Sequence, residues 1–381
     1  MAALDKGDEG PNPPSTHCAC DEKSAAVAPI GSQSPLRVAI FGMGSFGTAL
    51  GYVLCHNGHS VTLVGRDQEV VDAVNETHIN PKYLPTHKLP KAVTATTDAK
   101  TALDGVSLII HAVPVQSSFE YLERLAPLIS PDTPIVSVSK GIHVKKQMIM
   151  SDLIPAALGR DQPTAFLSGP SFAKEIMDEA PTAVVVASTN AELAKKVQHI
   201  LSSRHFRVYT TDDVIGVELA GALKNVIAIA AGAVAGLGYG SNTLTALVTR
   251  GCRELRCLAN AHGAKPETLA GLAGMGDIML TCFGELSRNR TVGFRLGQGE
   301  KLEDIVRSMN QVAEGVPTTE MAVKYADDAK LKAPIIRAVH AVLQSKMHPR
   351  EAVYALMSRP LGPEDHAPGG DCGSECPPEN A

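Results

Sequence analysis

Between residue 37 and about residue 211 the chain repeats one rhythm. A short apolar, β-prone run is followed by a polar break, then by a segment whose apolar residues fall three and four apart. These runs lie at 38–41, 60–64, 93–96, 107–112, 135–138, 165–167, 183–187 and 206–209. Short β-prone runs of this kind predict strands. Helical spacing separates many of them, as at 48–56, 118–128 and 191–202. Strand and helix in alternation predict an α/β fold with a mostly parallel, doubly wound sheet. Near Asp212 and Asp213 the rhythm changes. Long Ala/Leu-rich segments follow at 214–235, 244–262, 303–309, 318–329, 335–343 and 349–358, and no strand signal interrupts them. They predict an all-α C-terminal domain, entered through an Asp N-cap.

The two ends lack this pattern. Residues 1–35 contain five prolines and little apolar content, and residues 361–381 are rich in Gly, Pro and acids. Both are expected to be disordered tails. The N-terminal segment has no apolar core for a secretory signal. Its acids outnumber its lysines, contrary to a transit peptide. The domains expected between the tails are 36–213 and 214–360.

Composition narrows the class. The 381 residues are 44% hydrophobic and 20% charged, with 4% aromatic and no Trp, so Ala, Val, Leu and Ile must build the core. A net charge of −5 argues against a nucleic-acid binder. The longest apolar run, 226–238, is too short to span a bilayer. Eight cysteines in a chain of this length do not form a disulfide framework. Cys55, Cys252, Cys257 and Cys282 read as reduced core residues. Cys18, Cys20, Cys372 and Cys376 lie in the tails without zinc-like spacing, and no metal site is expected.

The first run leads into Gly42-Met-Gly44-Ser45-Phe46-Gly47. A G-x-G-x-x-G between strand and helix suits a dinucleotide phosphate: Gly42 for the turn, Gly44 for close approach, Gly47 for helix–strand packing. The free N–H groups of the helix start would face the pyrophosphate. This makes the first domain Rossmann-like. After the second run, Asp67 could take the ribose of NAD, whereas Arg66 could stack on adenine or take the 2′-phosphate of NADP. NAD is the first expectation and NADP the second.

Other candidates lie at strand ends or on the first long helix. His111-Ala-Val-Pro114-Val-Gln116 closes one strand, and Ser139-Lys140-Gly141 the next. Lys140 there would point to the crevice. Ser168-Gly169-Pro170-Ser171 precedes a helix and offers an anion site, or simply a Ser171 cap. Lys224, between Leu223 and Asn225 in an Ala/Val/Ile-rich stretch, would be partly desolvated, with its pKa lowered toward that of a proton carrier. A lysine snorkelling to water is the competing reading. Glu218 falls on a different face of that helix. Asp277 follows a glycine turn read as flexible and could orient a lysine. Ser287, Arg288 and Asn289 form a compact donor cluster, in which the Arg fork suits phosphate. Val312-Ala-Glu314 could close on the cofactor or merely start a helix.

In this order the motifs GMGSFGTAL, HAVPVQ, SKGI, LSGPSFAKE, ELAGALKNV, AGMGDIMLTC, ELSRNRTVG and VAEGV resemble those of NAD(P)-dependent sn-glycerol-3-phosphate dehydrogenases over roughly residues 36–358. VGRD and SMNQVAEGV are most similar to the plant-plastid and bacterial-type branch. The resemblance implies reversible reduction of dihydroxyacetone phosphate by NADH, feeding glycerolipid synthesis. Lys224 would be the proton acceptor for alcohol oxidation, with Asp277 catalytic beside it. Lys140, Gly169, Ser171, Asp277, Ser287, Arg288 and Asn289 would contact substrate. Ser45, Phe46, Arg66, Lys140, Ala173, Arg288, Val312 and Glu314 would line the cofactor beside the loop glycines. Ser117 stands where relatives often carry an aromatic residue. A homodimer in the cytoplasm is expected, or in a plastid. Two readings compete: a β-hydroxyacid or ketopantoate-type dehydrogenase, and a non-catalytic NAD-sensing module.

Overall fold

The structure, a computed structural model, describes residues 34–309, 312–362 and 364. Its centre is β1 (Arg37–Phe41), in which alternate side chains enter opposite cores. Val38 and Ile40 pack on one face of the sheet, and Ala39 and Phe41 on the other. The remaining strands are β2 (Ser60–Val64), β3 (Ile79–Asn80), β4 (Leu84–Lys88), β5 (Val93–Thr96), β6 (Leu108–His111), β7 (Ile135–Ser137), β8 (Thr164–Ser168), β9 (Thr182–Ala187) and β10 (Phe206–Thr211).

Eight of them form one sheet in the order β10-β9-β8-β7-β6-β1-β2-β5. Every pairing is parallel except β8 with β9. The order reverses at β1, between β2 and β6, and this switch point is where doubly wound sheets bind ligands. The β3–β4 pair is a separate antiparallel hairpin. The hydrophobic pattern does not mark it, because Leu84-Pro-Thr-His-Lys88 has one buried side chain and three exposed ones.

Only two residues separate β10 from the helix Val214–Gly236, and Asp213 caps that helix by accepting from Gly216 N at 2.9 Å. This long helix is the axis of the helical half. It is buried nearly all round, and its Ala, Ile and Val side chains join the larger core, which also packs against one face of the sheet. The apolar run at 226–238 begins inside a longer element. Asp213 starts the helix well before that run, so its 23 residues are long and apolar enough to cross a membrane; here protein encloses them instead. A helix hydrophobic on every side is what the centre of a large core requires.

The Arg288–Gly297 helix crosses the long helix at backbone contact. A Cβ on Gly232 or Gly236 would overlap the Arg290 or Phe294 carbonyl oxygen. One on Gly293 or Gly297 would overlap that of Ile229 or Ala233. Two G-x-x-x-G ridges thus face each other, and they fix where the Arg288 end of its helix lies. Cys282 is buried in the core, whereas the other three expected core cysteines are only half-buried: Cys55 and Cys252 pack against the edges of the two cores, and Cys257 is half-buried as well. The tail cysteines lie outside the described residues.

Candidate active site

Lys224 sits midway along the long helix and is 7% exposed. Its Nζ donates to Asp277 Oδ1 at 2.6 Å and to Thr281 Oγ1 at 2.8 Å. Asp277 and Thr281 are four residues apart on the helix Asp277–Phe283, so they share a face. Thr281 Oγ1 in turn donates to Asp277 O at 2.6 Å. The turn before Asp277 is not the flexible glycine loop the sequence suggests. Leu272–Gly276 winds as one π-helical turn that runs into the Asp277–Phe283 helix. π-Turns of this kind concentrate at functional sites.

Lys140 approaches Asp277 from the sheet, just past the end of β7. Its Nζ donates to Asp277 Oδ2 at 2.7 Å and to Gly169 O at 3.1 Å. One buried carboxylate therefore holds two ammonium groups, one from each half of the molecule. Burial drives the Lys224 pKa down, Asp277 pulls it back up, Lys140 pushes it down again, and it settles at about 8. Burial alone would raise Asp277, but the two facing lysines outweigh it and hold the carboxyl below its usual range. With both lysines charged, the trio carries one net positive charge at the junction of the halves.

Ser171 Oγ turns back to donate to Gly169 O at 2.9 Å. The helix that follows starts at Ala173, has five residues and is preceded by Phe172 at its cap, so the expected Ser171 N-cap is not formed. Ser168 Oγ, on the same strand end, is buried without a hydrogen-bond partner among the described residues. It lines a small cavity with Ser139, Lys140, Glu218 and Gly221. Glu218 faces away from Lys224 and accepts from Met150 N at 2.7 Å, capping the helix Met150–Leu158.

The Ser287-Arg288-Asn289 triplet is not one donor cluster. Ser287 caps its own helix by accepting from Arg290 N. Asn289 turns inward, donating to Asn225 Oδ1 and accepting from Gly315 N, both at 2.9 Å. Arg288 turns outward and is exposed, with Nη1 on the Val312 carbonyl at 3.0 Å. The helical periodicity explains this: residues one apart on a helix cannot share a face. Thr281 and Asn225 belong to these networks; the only sequence signals for them are the four-residue spacing of Thr281 from Asp277 and the adjacency of Asn225 to Lys224.

On the cofactor side, Gly42 has φ +105°, and a Cβ there would lie 2.6 Å from Ala112 O. A Cβ on Gly47 would overlap the Gly42 carbonyl, whereas one on Gly44 would meet nothing within 4 Å. The loop is thus closed on its inner side and open at Gly44. Ser45 and Phe46 begin the helix Ser45–His56, whose first turn carries no acidic residue. Ala173 and Phe46 both pack against the smaller core. Glu314 reaches from the helical half to accept from Val115 N at 3.0 Å. Its other oxygen and Thr318 Oγ1 are buried without partners among the described residues, and both lie 3.4 Å from where a Gly141 Cβ would be. These open donors and unpartnered acceptors fit a hydroxyl-rich nucleotide with phosphates. Val312 is exposed. Arg66 is exposed at the end of β2, and Asp67 there pairs with Lys82 at 3.1 Å.

Two family models match the chain: the N-terminus of NAD-dependent glycerol-3-phosphate dehydrogenase over residues 37–194 and its C-terminus over residues 213–354. A chloroplastic glycerol-3-phosphate dehydrogenase [NAD(+)] 2 of Arabidopsis thaliana is 50% identical over 327 residues, covering 85% of this chain and 78% of that protein. A glycerol-3-phosphate dehydrogenase [NAD(P)+] of Oleidesulfovibrio alaskensis is 47% identical, covering 86% and 100%. Among solved structures, glycerol-3-phosphate dehydrogenase of Coxiella burnetii superposes with a TM-score of 0.82 at 38% identity, covering 85% of this chain and 99% of that one.

Proposed function

The chain belongs to the NAD-dependent glycerol-3-phosphate dehydrogenase family, and from that premise we propose how its residues carry the reaction. The enzyme is an NAD(P)-dependent oxidoreductase acting on an alcohol. It interconverts dihydroxyacetone phosphate and sn-glycerol 3-phosphate. The nicotinamide dinucleotide supplies or accepts a hydride when bound. Gly42, Gly44 and Gly47, with Ser45 and Phe46 at the helix start, would cradle its phosphates. Glu314, Ala173, Val312 and Arg66 would line its length.

Lys224 carries the proton. In reduction its ammonium donates to the carbonyl oxygen of the substrate. In oxidation the neutral amine takes the hydroxyl proton. Asp277 and Thr281 aim the amine, while burial and Lys140 lower its pKa against the raising pull of Asp277, so that both protonation states are populated near pH 8. Lys140 adds a second positive charge beside the developing alkoxide. Arg288, the one exposed member of its triplet, suits the substrate phosphate through its planar fork. Gly169 and Ser171 border the same space through the Lys140 contact. Ser287 and Asn289 act through position: they hold the Arg288 end of the helix against Asn225 and Gly315. The carrying observation is the Lys224–Asp277–Lys140 trio, built from both halves.

The test is NADH oxidation by the purified chain. Turnover should require dihydroxyacetone phosphate, and Lys224→Ala should lower kcat by at least about a thousandfold while NADH still binds. Full turnover by that variant would remove Lys224 from the chemistry.

A further inference from the structure

Three charges meet at the end of β2. Arg66 and Asp67 follow the strand, and Lys82 arrives from the β3–β4 hairpin with Nζ 3.1 Å from Asp67 Oδ2. The hairpin is no loose loop. Asn80, fully buried, donates through Nδ2 to Met43 O and to Thr48 Oγ1, both at 2.9 Å, and accepts from Tyr83 N at 3.3 Å. One side chain thus ties the turn bearing Lys82 to the middle of the glycine loop and to the helix after it. β2 pairs with β1 residue for residue through Val64 and Phe41, so both strand ends open on the same edge of the sheet. Asp67 and Lys82 keep side-chain exposures of 39% and 43%. The pair is formed and a ligand can still reach it.

The chemistry at this position sorts nicotinamide cofactors. A carboxylate here accepts from a ribose 2′-hydroxyl but repels a 2′-phosphate, which needs cations. Asp67 alone would reject the phosphate, and Arg66 alone would only cancel Asp67. We propose that Lys82 is the specificity-determining residue that admits a 2′-phosphorylated cofactor. With NAD, Lys82 stays on Asp67 Oδ2 and leaves the other oxygen for the ribose. With NADP, its ammonium turns from Asp67 to the phosphate, and Arg66 supplies the second cation. The pair is exposed and screened by water, so the exchange is cheap. This inference rests on the cofactor placement proposed above.

The experiment compares kcat/KM for NADH and NADPH, at saturating dihydroxyacetone phosphate, in the parent chain, Lys82→Ala and Lys82→Arg. Lys82→Ala should lose about tenfold or more with NADPH and stay within about threefold with NADH, one lost charge-assisted contact being worth that much. Lys82→Arg should keep the parent ratio. Melting temperatures should match, since the pair is exposed. An unchanged ratio, an equal loss with both cofactors, or a parent that turns over NADH but not NADPH overturns the proposal. A parent that oxidises NADH with no need for dihydroxyacetone phosphate overturns the function itself, so the two failures are distinguishable.

Discussion

In the sheet half, the groups offered to a ligand are mostly backbone, at the open loop of Gly44, the helix start at Ser45 and the strand end at Gly169, with the Lys140 ammonium the side chain added to them. In the helical half they are side chains, namely Lys224, Asp277 and Thr281, buried in mutual contact. A backbone site needs only a strand, a turn and a helix in sequence. A side-chain site of this kind needs the long helix and the Asp277–Phe283 helix held in register, and the glycine ridges fix the neighbouring crossing of the long helix with the Arg288–Gly297 helix at backbone contact. The sheet half supplies approach; the helical half supplies precision.

The sharpest test of that contrast sets one glycine against another. Gly293→Ala puts a methyl group into the Ile229 carbonyl, where backbone cannot yield. It should destabilise the protein by about 3 kcal/mol or more in denaturant unfolding, or prevent folding. Gly44→Ala adds a methyl group in open space, at φ −69°. Its stability should stay within about 1 kcal/mol, with the loss appearing in NADH affinity. Equal stability losses would erase the distinction between the halves.

This contrast also governs what could be read from the chain. The β1 loop is local: six consecutive residues carry the strand end, the turn and the helix start, and most sheet strands are short contiguous β-prone runs, although β5 and β10 alternate buried and exposed residues. The β3–β4 hairpin escaped because it buries so little. In the helical half, Lys224 and Asp277 stand 53 positions apart, and no periodicity states which helices cross. Ser287, Arg288 and Asn289 are neighbours in sequence, and on a helix adjacency separates faces, so the triplet does not form one cluster. The G-x-x-x-G spacings at Gly232/Gly236 and Gly293/Gly297 were visible, yet only the fold reveals that they meet each other.

The amine–carboxylate pair makes the next test. Lys224 titrates near 8, so kcat/KM for reduction, which needs the ammonium, should fall as pH rises through about 8. For oxidation, which needs the free amine, it should rise over the same interval. Asp277→Asn removes the attraction that raises this pKa. Activity should fall about a hundredfold or more, and both limbs should move to lower pH. Limbs that stay near 8 in that variant would mean that another group carries the proton.

The smallest effect concerns stability, and there the halves differ in sign. Glu254 lies in the helical half and accepts from Ile335 N at 2.8 Å and Ile336 N at 3.1 Å. Burial raises its pKa from 4.5 to about 7, as it does for Glu218. The folded state then holds protons that the unfolded state has released. Stability from these carboxyls is complete below about pH 4.5 and is lost as pH rises toward 7. In the sheet half, burial lowers His111 from 6.5 to about 3, and its ring shares a 2.8 Å hydrogen bond with Ser118 Oγ. Its contribution is intact above pH 6.5 and is lost on acidification toward 3. Glu254→Gln keeps an acceptor but cannot ionise. Relative to the parent, the variant should gain on the order of 1–3 kcal/mol between pH 4.5 and pH 8, read from thermal melts across that interval. A difference between variant and parent that does not change with pH would show that Glu254 ionises in the fold as freely as it does in water.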